Sequence, residues 1–201
     1  PLRAYARVLP RGRCLLVDDA HGAGILGAHG RGAAELEGVE EGRLIRTITL
    51  SKAFGVYGGA ILGSGDLREQ VLRRSRLFIG NTPLPPVLAE GARAAIRFLR
   101  RRPGLRRRLR ENTVFLRGLL RQGGVDVPEH PGPVIGIRPV ADRAKEVVDA
   151  ALLSRGVLPP FMVYPGGAEG GYYRFAISVA HRPEELRRVA EALLSCREQW
   201  V

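Results

Sequence analysis

Two short apolar runs, each stopping at polar residues, constrain this chain most. RCLLVD (13–18) ends in an acid, and LIRTITL (44–50), rich in β-branched residues, runs into Ser51 and Lys52. Apolar runs this short, bounded by glycine or polar clusters, read as buried strands. Between them lies the glycine-rich stretch DAHGAGILGAHGRG (19–32). Strands of this kind followed by helical segments belong to an α/β architecture. In an open α/β sheet the carboxyl ends of the strands converge on one crevice. The polar residues that stop the two runs are therefore the first candidates for chemistry.

Downstream, GGAILGS (58–64) reads as a third strand. DLREQVLRRSRL (66–77) reads as a helix capped by Ser64 or Asp66. A second helix opens on prolines at 85 and 86 and runs to about Arg102. Beyond Pro103 the texture changes. A helix over 105–122 places Leu105, Leu109, Leu116 and Leu120 on one face, and PVIGIRPV (133–140) is a strand. A helix over 142–155 stops at Gly156, VLPPFMVYP is extended, and YYRFAISVA (172–180) is a strand of alternating burial. A last helix over 183–200 turns Leu186, Val189, Leu193 and Trp200 inward. The expectation is a strand-rich α/β piece and a compact α+β piece, with a boundary near 95–103.

Composition narrows the classes. The 201 residues are 45% hydrophobic and 26% charged, an ordinary globular balance. No apolar run is long enough for a membrane span. The chain starts PLRAYARVLP, neither a signal peptide nor a natural start, so the reading is a fragment lacking its N-terminal part. Cys14 and Cys196 have no metal-type spacing, and Cys14 reads as a reduced core residue. Both readings favour the cytoplasm. The net charge of +12 raises the question of nucleic acid. In the densest run, FLRRRPGLRRRLRE (98–111), the arginines alternate with apolar residues at helical spacing, as on a solvated face. A single-strand binder's interleaved aromatics are missing from that run, so no nucleic-acid partner is expected.

Three constellations compete. Gly22, Gly24 and Gly27 spell G-x-G-x-x-G after a strand. However, AHGRG intervenes where a helix should begin, and the next strand ends in Ser51 and Lys52 instead of an acid, so a dinucleotide site is rejected. DDAH (18–21) offers metal-type ligands, but His29, His130 and His181 are scattered, and no metal is expected. The third constellation is Asp18, His21 and Lys52 on the ends of two strands. Lys52 is one of only two lysines against thirty arginines. Arginine keeps its charge almost everywhere, whereas a lysine can lose its proton and attack a carbonyl. An amine, a carboxylate and an imidazole at one strand end suit pyridoxal phosphate. The amine bonds the aldehyde, the acid keeps the ring nitrogen protonated, and the imidazole hydrogen-bonds the ring. Thr49 and Ser51 flank the lysine as phosphate donors.

LLVDDAHGAGILGAHGRG, TLSKAFGVYGGAILGS and YRFAISVAH resemble the α-oxoamine synthase family of fold type I pyridoxal phosphate enzymes. The resemblance runs over nearly the whole chain and covers the second half of a family member. It implies a partial cofactor-binding large domain over 1–100 and a C-terminal α+β small domain over 101–201. It also implies pyridoxal 5'-phosphate as cofactor, with Asp18 at the pyridinium nitrogen, His21 by the ring oxygen, Lys52 as the cofactor lysine and Thr49 on the phosphate. NTPLPP (81–86) is similar to a family segment whose Thr82 reaches the partner subunit's phosphate, so a homodimer is implied. Arg174, seven residues before His181, matches the arginine that binds the amino-acid carboxylate; read without the resemblance it is a surface strand arginine. Tyr172 stands where the family often shows a further arginine. The implied reaction condenses an amino acid with an acyl-CoA, usually with decarboxylation, to an aminoketone. An aminotransferase of the same fold and a non-catalytic basic fragment stay open as alternatives.

Overall fold

The computed structural model describes residues 1–140, 144–164 and 170–200. They fall into two compact units, Pro1–Arg106 and Arg107–Val201. The stretch 165–169 of FMVYPGGAEGGYY and the start of the helix expected over 142–155 lie outside the described residues.

The first unit is built on three strands, β1 (Leu15–Asp18), β2 (Leu44–Thr49) and β3 (Gly59–Leu62), in that order across the sheet. β1 and β2 are parallel, with Asp18 opposite Thr47, and β3 runs antiparallel with Gly59 opposite Thr49. The Asp19 amide donates to the Thr47 carbonyl at 2.8 Å and carries the ladder one residue past β1. Parallel pairing puts the ends of both expected runs at the same side of the sheet. The expectation of a buried β1 is corrected: burial alternates along it, and Leu16 is 72% exposed. β1 is an outer strand covered on one face, and period-two alternation turns every second residue to water. Cys14 is exposed for the same reason and is not a core residue.

Helices α1 (Leu2–Val8) and α2 (Ala33–Glu37) were not expected from the sequence. Both are too short to show a clear period, and long-range bonds hold them. Arg3 donates from its amide to the Glu37 carboxylate at 2.8 Å and from Nε to the Glu37 carbonyl at 2.6 Å. Arg43 donates to the carbonyls of Ala6 and Leu9 at 3.0 and 2.8 Å, satisfying acceptors that the end of α1 leaves open. Helix α3 (Gly65–Arg74) is capped by Ser64, whose Oγ accepts the Leu67 amide at 3.2 Å; Asp66 lies in the first turn. Helix α4 (Pro86–Arg101) opens on proline, where a missing N–H costs nothing.

The glycine loop between β1 and α2 is clasped by Glu35. Its carboxylate accepts the amides of His29 (3.1 Å) and Arg31 (2.9 Å) and contacts the His29 ring at 2.6 Å. Desolvation pushes this carboxyl up, but the two amides and the ring outweigh it and hold the group below its ordinary 4.5. A carboxyl depressed in the folded state stabilises the fold above its unfolded pKa, and that stabilisation is lost as pH falls through the folded value. The expected result is that Glu35→Gln is less stable than the parent at neutral pH. The gap should close below 4.5, as thermal unfolding at the two pH extremes will read.

The second unit holds helix α5 (Pro103–Gln122), whose first turn belongs to the first unit, strand β4 (Val134–Ile137), helix α6 (Ala144–Leu153), strands β5 (Phe161–Met162) and β6 (Tyr172–Ala176), and helix α7 (Pro183–Leu194). Its antiparallel sheet runs β4-β6-β5. Leu116 and Leu120 of α5, Val148 and Leu152 of α6, Ile135 of β4 and Leu193 of α7 are buried in one cluster. Tyr173 lies at its centre, edge-on to Phe161 at 5.1 Å and to Trp200 at 5.7 Å. The helix expected over 183–200 ends at Leu194. Ser195 Oγ and Cys196 Sγ both contact the Ala192 carbonyl, and Trp200 Nε1 donates to the Leu193 carbonyl at 2.9 Å. Side chains thus take the acceptors that another helical turn would have used. Trp200 still faces inward, from a bridge to Pro139. No helix among the described residues is long and apolar enough to cross a membrane.

Candidate active site

The site grows from the ends of β1 and β2. Asp18 closes β1; it is exposed, and its Oδ1 accepts the Ala20 amide at 3.0 Å. That bond starts the turn that carries His21. Thr49 closes β2, and its Oγ1 lies 2.8 Å from the Ser51 hydroxyl. The chain then turns through Ser51 and Lys52, with the Gly55 amide on the Lys52 carbonyl at 3.2 Å and the Val56 amide on the Leu50 carbonyl at 2.9 Å. Across the two loops, Lys52 Nζ meets His21 Nε2 at 3.1 Å. An ammonium has donors only. The pair is therefore satisfied when the imidazole is neutral and carries its proton on Nδ1.

The structure thus brings Asp18, His21, Thr49, Ser51 and Lys52 to one end of one sheet. Thr82 lies in the same unit, exposed, on the stretch between α3 and α4. Arg174 belongs to the second unit. It is in β6 opposite Gly136, with its amide on the Pro160 carbonyl at 2.9 Å.

The three glycines of the rejected dinucleotide pattern each make room for a side chain. A Cβ on Gly24, whose φ is +83°, would come 2.8 Å from the Ala53 methyl and 3.2 Å from the Phe54 ring. The glycine loop therefore lies against the two residues that follow Lys52. Cβ atoms on Gly22 and Gly27 would strike the carboxylates of Asp19 and Glu35.

Asp19 and Arg46 were missed by sequence reasoning. Asp19 is 3% exposed; its carboxylate accepts the Ala33 amide at 3.2 Å and lies 3.4 Å from Arg46 Nη1. The available signal was an arginine in the middle of LIRTITL, a run otherwise fit for a buried strand.

In the second unit, β6 leads into a turn clamped by Asn112, whose Nδ2 donates to the carbonyls of Ser178 and His181 at 2.9 and 3.0 Å. His181 Nδ1 accepts the Ser178 amide at 3.2 Å, so the neutral ring carries its proton on Nε2. A cavity of about 350 Å³ adjoins it, lined by Val157, Phe175, Ile177, Leu186 and Val189. Among the described residues no three His, Cys, Asp or Glu side chains gather as metal ligands.

A family model for aminotransferase class I and II matches residues 2–193. The chain belongs to that family. Within it, the chain is 35% identical over 201 residues to the 8-amino-7-oxononanoate synthase of Pelobacter propionicus, which covers 96% of this chain and 50% of the relative. It is 36% identical over 200 residues to the synthase of the same name from Methylococcus capsulatus, covering 96% and 51%. The chain thus spans about half the length of these curated relatives. The 8-amino-7-oxononanoate synthase of Francisella tularensis superposes with a TM-score of 0.85 over 98% of this chain and 58% of its own, at 24% identity, a likeness of fold. Serine palmitoyltransferase from S. paucimobilis, solved with a PLP–myriocin aldimine, gives the same TM-score at 27% identity over 98% and 51%. The expected α/β fold, that of half a pyridoxal phosphate-dependent transferase, agrees with these matches.

Proposed function

We propose that this chain carries the cofactor-lysine half of a pyridoxal 5'-phosphate-dependent acyltransferase. The enzyme would condense an amino acid with an acyl-CoA, with decarboxylation, to an aminoketone, in the manner of 8-amino-7-oxononanoate synthase. The observation that carries this reading is the Lys52 amine 3.1 Å from the His21 imidazole. It lies at a strand end that also presents an exposed carboxylate, Asp18, and two paired hydroxyls, Thr49 and Ser51. That donor set fits the group: an amine for its aldehyde, an acid for its ring nitrogen, an imidazole for its ring oxygen, and hydroxyls for its phosphate. When bound, pyridoxal phosphate supplies an electron sink for a carbanion at the amino acid's α-carbon.

The chain's own residues then divide the work. Lys52 Nζ takes the α-proton, and His21 Nε2 beside it orients that nitrogen. Asp18 would hold a proton on the cofactor's ring nitrogen. Arg174 grips the substrate carboxylate through its fork of donors. Residues 1–100 serve as part of the cofactor-binding large domain and 101–201 as the small domain. Thr82 reaches a partner's phosphate in a homodimer. In support, Thr82 is exposed, with exposed Leu77, Phe78, Ile79 and Val87 before and after it in the chain. The free thiols of Cys14 and Cys196 suit a reducing cytoplasm.

The test supplies pyridoxal phosphate, an amino acid and an acyl-CoA to the chain combined with the first half of a family member, and reads release of the free CoA thiol. Thiol release that needs the amino acid supports the reading. Amino-group exchange with a keto acid, independent of acyl-CoA, would replace it with an aminotransferase.

A further inference from the structure

His21 and Lys52 stand on separate loops, and something must hold the first loop at a fixed height over the second. The side chains that do so are outside the Asp18, His21 and Lys52 set. Asp19 N–H extends the β1–β2 ladder, and its carboxylate reaches across to the Ala33 amide, where the glycine loop ends. Arg46, 7% exposed in the middle of β2, donates from Nη1 to the Arg31 carbonyl at 2.5 Å and contacts Asp19 at 3.4 Å. Its Nη2 donates to both oxygens of Glu41, at 3.0 and 2.9 Å. The loop closes tightly on this pair: a Cβ on Gly22 or on Gly32 would collide with the Asp19 carboxylate. One buried guanidinium thus touches both the start and the end of the loop that carries His21. Burial pushes the Asp19 carboxyl up from its ordinary value; the Ala33 amide and Arg46 pull it back without cancelling that rise. A charge kept in so dry a place needs its partner, and removing one member leaves the other exposed to the full desolvation penalty.

We propose that Asp19 and Arg46 are positioning residues, a buried pair that fixes the glycine loop to β2 and thereby sets His21 against Lys52. The positioning stands on geometry alone; its consequence for catalysis rests on the reading of Lys52 as the cofactor lysine.

The experiment uses the 201-residue chain without cofactor, so a failure to bind pyridoxal phosphate does not touch it. Limited acetylation with acetic anhydride, read by peptide mass, gives the ratio of Lys52 to Lys145 modification, with Lys145 as internal reference. In the parent the imidazole engages the nitrogen that must attack. His21→Ala should raise the ratio roughly two- to tenfold, the range for loss of one ordinary hydrogen bond. Asp19→Asn, which keeps an acceptor for the Ala33 amide, and Arg46→Gln should raise it toward the same value. Asp19→Asn combined with His21→Ala should add nothing, because Asp19 acts through His21. A parental ratio in Asp19→Asn and Arg46→Gln overturns the proposal, and so does a full additive effect in the combined variant. If the single variants lose their fold, Asp19→Asn with Arg46→Gln leaves no orphaned buried charge and carries the same expectation. A parental ratio there is equally fatal.

Discussion

In the Lys52→Arg variant, borohydride reduction with pyridoxal phosphate present leaves the peptide containing position 52 without label, whereas the parent chain is labelled there. The effect expected is complete loss, because only a neutral amine attacks the aldehyde, and a guanidinium stays charged in every protein environment. The chain makes the experiment unusually clean. It has two lysines, so every side-chain adduct falls on position 52 or 145. Lys145 is already committed: its ammonium pairs with Asp149 one helical turn on and lies 5.1 Å from the centre of the Phe161 ring. Lys52 instead faces an imidazole at an exposed strand end. Label on Lys145 alone, or label that persists in Lys52→Arg outside Lys145 and the N-terminus, would remove the cofactor assignment.

The second large effect is on stability. Leu120→Ala should cost the second unit about 2–5 kcal/mol, the range for truncating a fully buried leucine in a close-packed core. Leu120 is 0% exposed and belongs to the cluster around Tyr173. The reporter is built in: Trp200 is the chain's single tryptophan and is buried in the same cluster, so its fluorescence during urea unfolding follows this core. Leu158→Ala is the control. Leu158 is 84% exposed, and its truncation should change the unfolding free energy by less than about 0.5 kcal/mol. Equal losses in both variants would mean that the α5 face is not the packing surface described.

Much of this arrangement was legible in the residues themselves. Helix α5 was visible because Leu105, Leu109, Leu116 and Leu120 recur at helical spacing, which is how an amphipathic helix records its buried side. β2 was visible from its β-branched run, and Lys52 from its rarity. What stayed hidden was set by distant partners. The pair DD at 18–19 looks the same to a reader at either position, yet Asp18 is exposed and Asp19 is buried. Asp19 falls on the inward parity of Leu15 and Val17, and its carboxylate there meets Arg46, 27 residues later. Cys14 belongs to an apolar run covered on one face only, which composition does not report. Helix α7 was drawn too long because Leu193 offers its carbonyl to an indole seven residues on, and no local propensity reports that. The glycines of the G-x-G-x-x-G pattern make room for Asp19, Phe54 and Glu35, a matter of packing that the pattern alone does not report.

Along its outer side β1 has no strand beside it among the described residues, and Leu16 stands in water next to that open row of amides and carbonyls. Such a row is a template for any extended segment that arrives. Stored concentrated, the isolated chain will therefore recruit copies of itself sheet to sheet, and turbidity will rise with concentration. A charged residue in place of Leu16 should slow that precipitation.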